Sequence, residues 1–288
     1  MSGQPGRGSS EKEDRRMDVT YSARLPEGAK EVLIPGGLVT PHGSCMPVQE
    51  SEMAEVVETT TGQRAYRISA TCEEFALTFR ATPSVGSYPD ALFTPHASRY
   101  TRFADDLVDE VAEVTGDLTG PERAQAVACH VADRFTYGHP EQRFNDEFDV
   151  VPALGCGVVE GSCVDINTYF IAALRAAGME AGYVTGFFFP EEKGGTCKDG
   201  HCWVVTRIDG AIAEWDIAHH LKLGTRDIRP GLNPKPGRRF ACFHSMGLSF
   251  PDLGIKDMKA LIEPVAVADG QAIKFEAPDI RLKAPAPA

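Results

Sequence analysis

Several features are scarce or missing in this chain of 288 residues. No run of about 18 consecutive apolar residues occurs, so no membrane-spanning helix is expected. Basic residues are outnumbered: 29 Lys and Arg against 41 Asp and Glu leave a formal charge of -12. No basic cluster interrupts that excess, so a phosphate backbone would be repelled and nucleic acid is not expected as a partner. The stretch 1–16 is glycine, serine and charge without the apolar core of a signal peptide, and reads as a solvated tail. A compact disulfide framework is missing too. The eight cysteines are scattered, which without a leader predicts free thiols, a reducing compartment and a cytoplasmic location. What remains, 42% hydrophobic and 24% charged, is an ordinary globular composition, enough for one large or two modest domains.

From residue 17 to 83 the pattern is β. Val19–Leu25 alternates, Glu31–Ile34 is a short apolar run closed by Pro35-Gly36-Gly37, and Met53–Thr60, Tyr66–Thr71 and Phe75–Ala81 follow. Short strands punctuated by Gly and Pro predict a small antiparallel sandwich or barrel. Nothing in it gathers titratable groups, so a packing or positioning domain is the simplest expectation. A Pro-, Gly- and Ser-rich linker spans Pro83–Pro95.

Two helices are then expected. One starts near Ser98, burying Tyr100, Phe103, Leu107, Val108, Val111 and Ala112, and ends near Gly116. The other opens at Thr119-x-x-Glu122 with Pro121 in its first turn, and His130 sits beside its apolar face as a structural or exposed histidine rather than a catalytic one. Tyr137 to Gly157 reads as a long polar loop.

Chemistry concentrates further on. Ser162-x-x-Asp165 is a capping box, and Ile166, Phe170, Ala173, Leu174 and Ala177 recur at helical spacing up to Gly178, a natural terminator. Cys163 is then the first residue inside the helix, where the positive end of the macrodipole favours a thiolate. Ala181–Phe189 reads as a buried strand, Pro190–Gly200 as a surface excursion or flap, and His201–Ile208 as another strand. Asp209-Gly210 is a strong hairpin signal with Ala211–Ile217 as its return strand. A two-residue turn pairs Ile208 with Ala211, so Trp203 falls opposite Asp216. His201, two residues earlier, then shares the face of Asp216 one diagonal step away, within side-chain reach. A carboxylate that fixes an imidazole, and an imidazole that takes a thiol proton, are the parts of acyl transfer at sulfur. The unpaired N–H of Cys163 supplies one donor to the oxyanion.

These residues carry a resemblance. Gly161-Ser162-Cys163-Val164-Asp165 and the following Ala172 to Gly186 resemble the core of the transglutaminase-like superfamily, in which Gly-x-Cys opens a helix ending in Leu-Arg-Ala-x-Gly before a strand ending in Gly. His201-Cys202-Trp203 resembles its His-Ala-Trp, and Asp216 stands where its triad aspartate would. The resemblance is specific over about 137–218. It departs at the aspartate, where Trp215 is adjacent and Ile217-Ala218 replaces Pro-Thr. It implies an α+β fold with a papain-like core in 95–250, the Cys-bearing helix packed on an antiparallel sheet, preceded by the β domain and followed by an extension over 251–288. It also implies Cys163 as nucleophile, His201 as general base and acid, and Asp216 as orienter. The expected substrate is a peptide, protein or small amide. No cofactor or metal enters this reading.

Alternatives stay open. Cys156, Cys163, Cys197, His201 and Cys202 are the set from which a zinc site could be assembled, but their spacings miss the tight pairs of zinc ribbons. A Cys197–Cys202 disulfide runs against a reducing compartment. His219-His220, as neighbours on a strand, are expected at the surface. The domain can also be a catalytically silent binding module. Beyond Leu221 the sequence predicts a strand pair around Arg239–Ser245, a late segment near 257–263, and a disordered Ala/Pro tail from Lys283.

Overall fold

The computed structural model describes residues 16–284 except 51, 71, 84, 85, 232 and 233, so the expected tail over 1–15 and the last four residues lie outside the described part. The centre is a four-stranded antiparallel sheet in the order Ala211–Trp215, His201–Ile208, Glu180–Pro190, Gly237–His244. The helix Cys163–Ala176 packs on one face. Every residue from Asp165 to Leu174 is buried, which is why its apolar pattern runs round the whole helix rather than along one stripe. Each fully enclosed Ile, Phe or Leu there contributes about 1.5–3 kcal/mol. Helices Asp105–Thr115 and Gly120–Arg134 cover it from outside.

The opposite face of this sheet is covered differently. Val184, Trp203 and Val205 pack on Tyr88, Leu92 and Phe93, where the linker makes one short helical turn, Asp90–Phe93, absent from the sequence reading.

The chain is α+β, with the N-terminal strands forming an antiparallel sandwich. One sheet runs Thr196–Cys197, Asp279–Lys283, Met17–Arg24, Glu74–Thr82, Gly43–Pro47, Leu38–Thr40. The other runs Gln271–Lys274, Val265–Ala268, Glu31–Pro35, Arg64–Ser69, Ala54–Val57. Strands from the last thirty residues thus sit inside both sheets: Val19 pairs with Leu282 and Leu33 with Val265. Lys283, placed at the start of a disordered tail by composition, instead closes a strand paired with Asp18.

The first helix starts at Asp105, later than expected. Ser98 and Thr101 use their hydroxyls on local backbone N–H groups of Tyr100 and Ser98, and Phe103 bridges Val151. Such side-chain bonds compete with helix. His130 takes its structural part: its Nε2 lies 2.6 Å from Glu110 Oε1, which also accepts from the Tyr169 hydroxyl at 2.8 Å.

Candidate active site

Local chemistry fixes the start of the central helix. Asp165 Oδ2 accepts from the Ser162 N–H at 2.9 Å and the Ser162 hydroxyl at 2.7 Å, while its Oδ1 meets Arg143 at 2.8 Å. The capping residue therefore also anchors the 137–157 loop. Cys163 follows as the first helical residue, partly exposed at the floor of a cleft.

The hairpin has the expected register: Ile208 faces Ala211 and Val204 faces Trp215. The ladder stops at Trp215, and Asp216 turns to cap a short helix, Ile217–Lys222, by accepting from the His219 N–H at 3.1 Å. His201 Nε2 lies 2.8 Å from Asp216 Oδ2. Cys163 lines the same cleft as His201, near enough for its sulfur to raise the pKa of the ring. The three residues singled out from sequence are thus brought together, from a helix, a strand and a helix cap.

Residues 105–215 match the family model of the transglutaminase-like superfamily. Over this segment the chain is similar to that superfamily. No curated protein matches the chain. Among solved structures, a proposed cysteine protease from Cytophaga hutchinsonii is similar over 93% of this chain and 96% of its own, at 14% identity and TM-score 0.47. The periplasmic domain of TgpA from Pseudomonas aeruginosa is similar over 73% of this chain and 89% of its own, at 14% identity and TM-score 0.41.

Within the transglutaminase-like core, electrostatics separates the charges. At Cys163, the neighbouring Cys202 thiol, then the His201 ring and its charge, overcome burial and hold the sulfur well below the ordinary thiol range. Burial works against a charged His201, but Asp216 and Cys163 outweigh it and raise the ring from 6.5 to about 9. Asp216 is fully buried, yet His201 and His219 hold its carboxyl well below the usual range. Both shifts favour the thiolate–imidazolium form of the pair.

Three participants escaped the sequence reading. Cys202 alternates to the face of its strand away from His201, toward the helix, and that brings its sulfur to 3.4 Å from Asn167 Nδ2. His219 and His220 are buried on the Ile217–Lys222 helix, not exposed on a strand; the Asp216-x-x-His219 cap is what ends the strand. His219 stacks on His201 with ring centres 4.3 Å apart and places Nδ1 2.8 Å from Asp216 Oδ2. Arg239, on the far edge strand, reaches the same oxygen at 3.2 Å.

The suggested zinc set does not assemble. Cys156 is exposed, and the described residues that could hold an ion are instead His201, Asp216 and His219. The donor chemistry there does not suit a cation, because a metal on Asp216 Oδ2 would sit against the Arg239 guanidinium. The arrangement is an imidazole–carboxylate network.

The cleft above the sulfur holds about 690 Å³. Phe188, Tyr137, His139 and His219 form walls. The 190–200 excursion forms another, pinned by pairing of Thr196 and Cys197 with the last strand at Arg281 and Ile280.

Proposed function

We propose that the protein is a cysteine enzyme that transfers or hydrolyses an acyl group at a peptide or carboxamide bond through a thioester on Cys163. The observation that supports this is the 2.8 Å His201–Asp216 bond in the cleft that Cys163 lines from a helix N-terminus. The Cys163 thiolate attacks the carbonyl carbon, and the oxyanion meets the unpaired N–H of Cys163. The His201 imidazolium gives its proton to the departing amine as the C–N bond breaks. Water or a second amine then attacks the thioester, passing a proton to His201 and releasing the sulfur as thiolate. Asp216 keeps Nε2 occupied, so the other ring nitrogen works on the sulfur.

The Tyr137 hydroxyl, on the strand Phe135–Tyr137 beside Gly161, lines the cleft and is our choice for the second oxyanion donor. Burial and the neighbouring acids raise its pKa, so it remains a proton donor. The eight free thiols, including Cys45 and Cys242 with sulfurs 3.5 Å apart, suit a reducing cytoplasm.

Incubation with a panel of peptides and a dansylated amine, with mass detection of both products, tests the reading. Turnover by the native protein and none by Cys163→Ala is expected. Equal activity of the two proteins would end it.

A further inference from the structure

The distribution of lysine points to the substrate. Between Lys30 and Lys193 every basic side chain other than histidine is an arginine. Lysine then returns at 193, 198, 222 and 235, and all four line the cleft over Cys163. Asp199 is the one carboxylate among the described lining residues. Glu192 pairs with Lys235 at 2.8 Å from outside the lining, which discounts that lysine. Lys193, Lys198 and Lys222 still outweigh Asp199, in a protein whose formal charge is -12.

The positions differ in kind. Lys193 and Lys198 belong to the pinned excursion on one side of the cleft. Lys222 ends the short helix on the other, its ammonium 4.4 Å from the Tyr137 ring centre, close enough that its charge favours the Cys163 thiolate. Cations therefore stand on both sides of the reacting sulfur. A lysine ammonium is a compact, hydrated charge on a flexible stem, suited to attracting carboxylates of variable placement rather than clamping one in a fixed fork. A cationic cleft on an acidic molecule focuses anions toward the reacting sulfur.

Resting on the acyl-transfer reading, we infer that the acyl donor is an acidic peptide, with Asp or Glu side chains on either side of the scissile amide. At roughly 7 Å in a water-like medium one such charge pair changes association about threefold, so two flanking carboxylates give on the order of tenfold.

The test uses matched peptides with one core and Glu, Gln or Lys flanks. The expected order of kcat/KM is Glu above Gln above Lys, with the Glu advantage about tenfold at about 20 mM salt and largely gone at about 0.5 M. Equal rates, or preference for Lys flanks, overturn the inference. A second readout needs no turnover: the ratio of Cys163 alkylation by iodoacetate, an anion, to that by neutral iodoacetamide. In the double variant Lys193→Gln, Lys198→Gln this ratio should fall about threefold or more from the native value. An unchanged ratio refutes the cationic cleft while leaving acyl transfer intact. Absence of any Cys163 alkylation below about pH 8 would instead refute the thiolate on which both readings stand.

Discussion

Replacing Asp216 with asparagine removes one charge at constant shape from the best-defined contact in the site. The carboxylate oxygen Oδ2 faces His201 Nε2 and His219 Nδ1 at 2.8 Å each and Arg239 at 3.2 Å. Asparagine still offers an oxygen to the His219 N–H and is as good a helix cap, so the short helix should persist. The imidazolium should not. Its rise from 6.5 to about 9 corresponds to roughly 3 kcal/mol favouring the protonated ring. Without the carboxylate, the largest influence opposing burial is gone and only Cys163 still favours the charged ring, so the His201 pKa should fall well below its native value. At neutral pH the Cys163 sulfur then loses the cation beside it.

Iodoacetamide alkylation across about pH 5 to 10 reads this directly. Native Cys163 should react over the whole window in which His201 is charged, up to about pH 9. The Asp216→Asn protein should lag by roughly 100-fold near pH 7 and approach the native rate only as the thiol titrates unaided. Turnover should fall on the order of 10²–10⁴. The stability difference has a defined sign. The raised His201 pKa makes the pair's contribution complete below 6.5 and lost as pH rises through about 9. The depressed Asp216 pKa makes its contribution complete above 3.8 and lost as pH falls below that through the folded value. The variant should thus be most destabilised between these limits. Superimposable alkylation profiles of the two proteins would refute the assignment of Asp216.

Other perturbations are equally specific. Cys202→Ala removes the neighbouring thiol that does most to hold Cys163 low, so the pH midpoint of Cys163 alkylation should rise; an unmoved midpoint would show that His201 suffices alone. Gly186→Ala sets a methyl 1.9 Å from the Phe240 carbonyl oxygen, where the strand beside His201 has a bulge. Thermal unfolding should show a loss of roughly 3 kcal/mol or more, and an unchanged Tm would contradict the close approach. Glu58, fully buried, accepts from the Thr60 and Thr61 hydroxyls at 2.6 Å each and from the Ser249 N–H at 2.8 Å. Glu58→Gln should cost about 1–3 kcal/mol. Because the native pKa is lowered, that difference should be present above pH 4.5 and shrink as pH falls through the folded value.

How much was legible follows from how local each signal is. The capping box and the two-residue turn are short-range, and each sets its own geometry. Knowing only that Asp209-Gly210 turns the chain, one can count His201 onto the face of Asp216, and the observed register of Ile208 with Ala211 agrees. His219 was misplaced because the same aspartate does two things. Seen as the end of a strand it leaves His219 and His220 pointing outward; seen as a helix cap it folds both inward. Arg239 lies 23 residues beyond Asp216 on a strand that reaches the hairpin only through the intervening central strand, so no sequence spacing announces it.

The last strand shows why the final stretch resisted reading. Asp279–Lys283 alternates too briefly to stand out, and its partners are Met17–Arg24, at the other end of the chain, and Thr196–Cys197 in the excursion over the site. That one strand links three regions that seem independent in sequence. Pairing on its Met17–Arg24 side closes the N-terminal sheet, and pairing on its other side holds the excursion that carries Lys193 and Lys198. Ala277 and Pro278, just before the strand, line the cleft itself. The wall facing the sulfur is therefore set by the edge of the N-terminal sheet, so the β domain positions the site without lending it a reacting group.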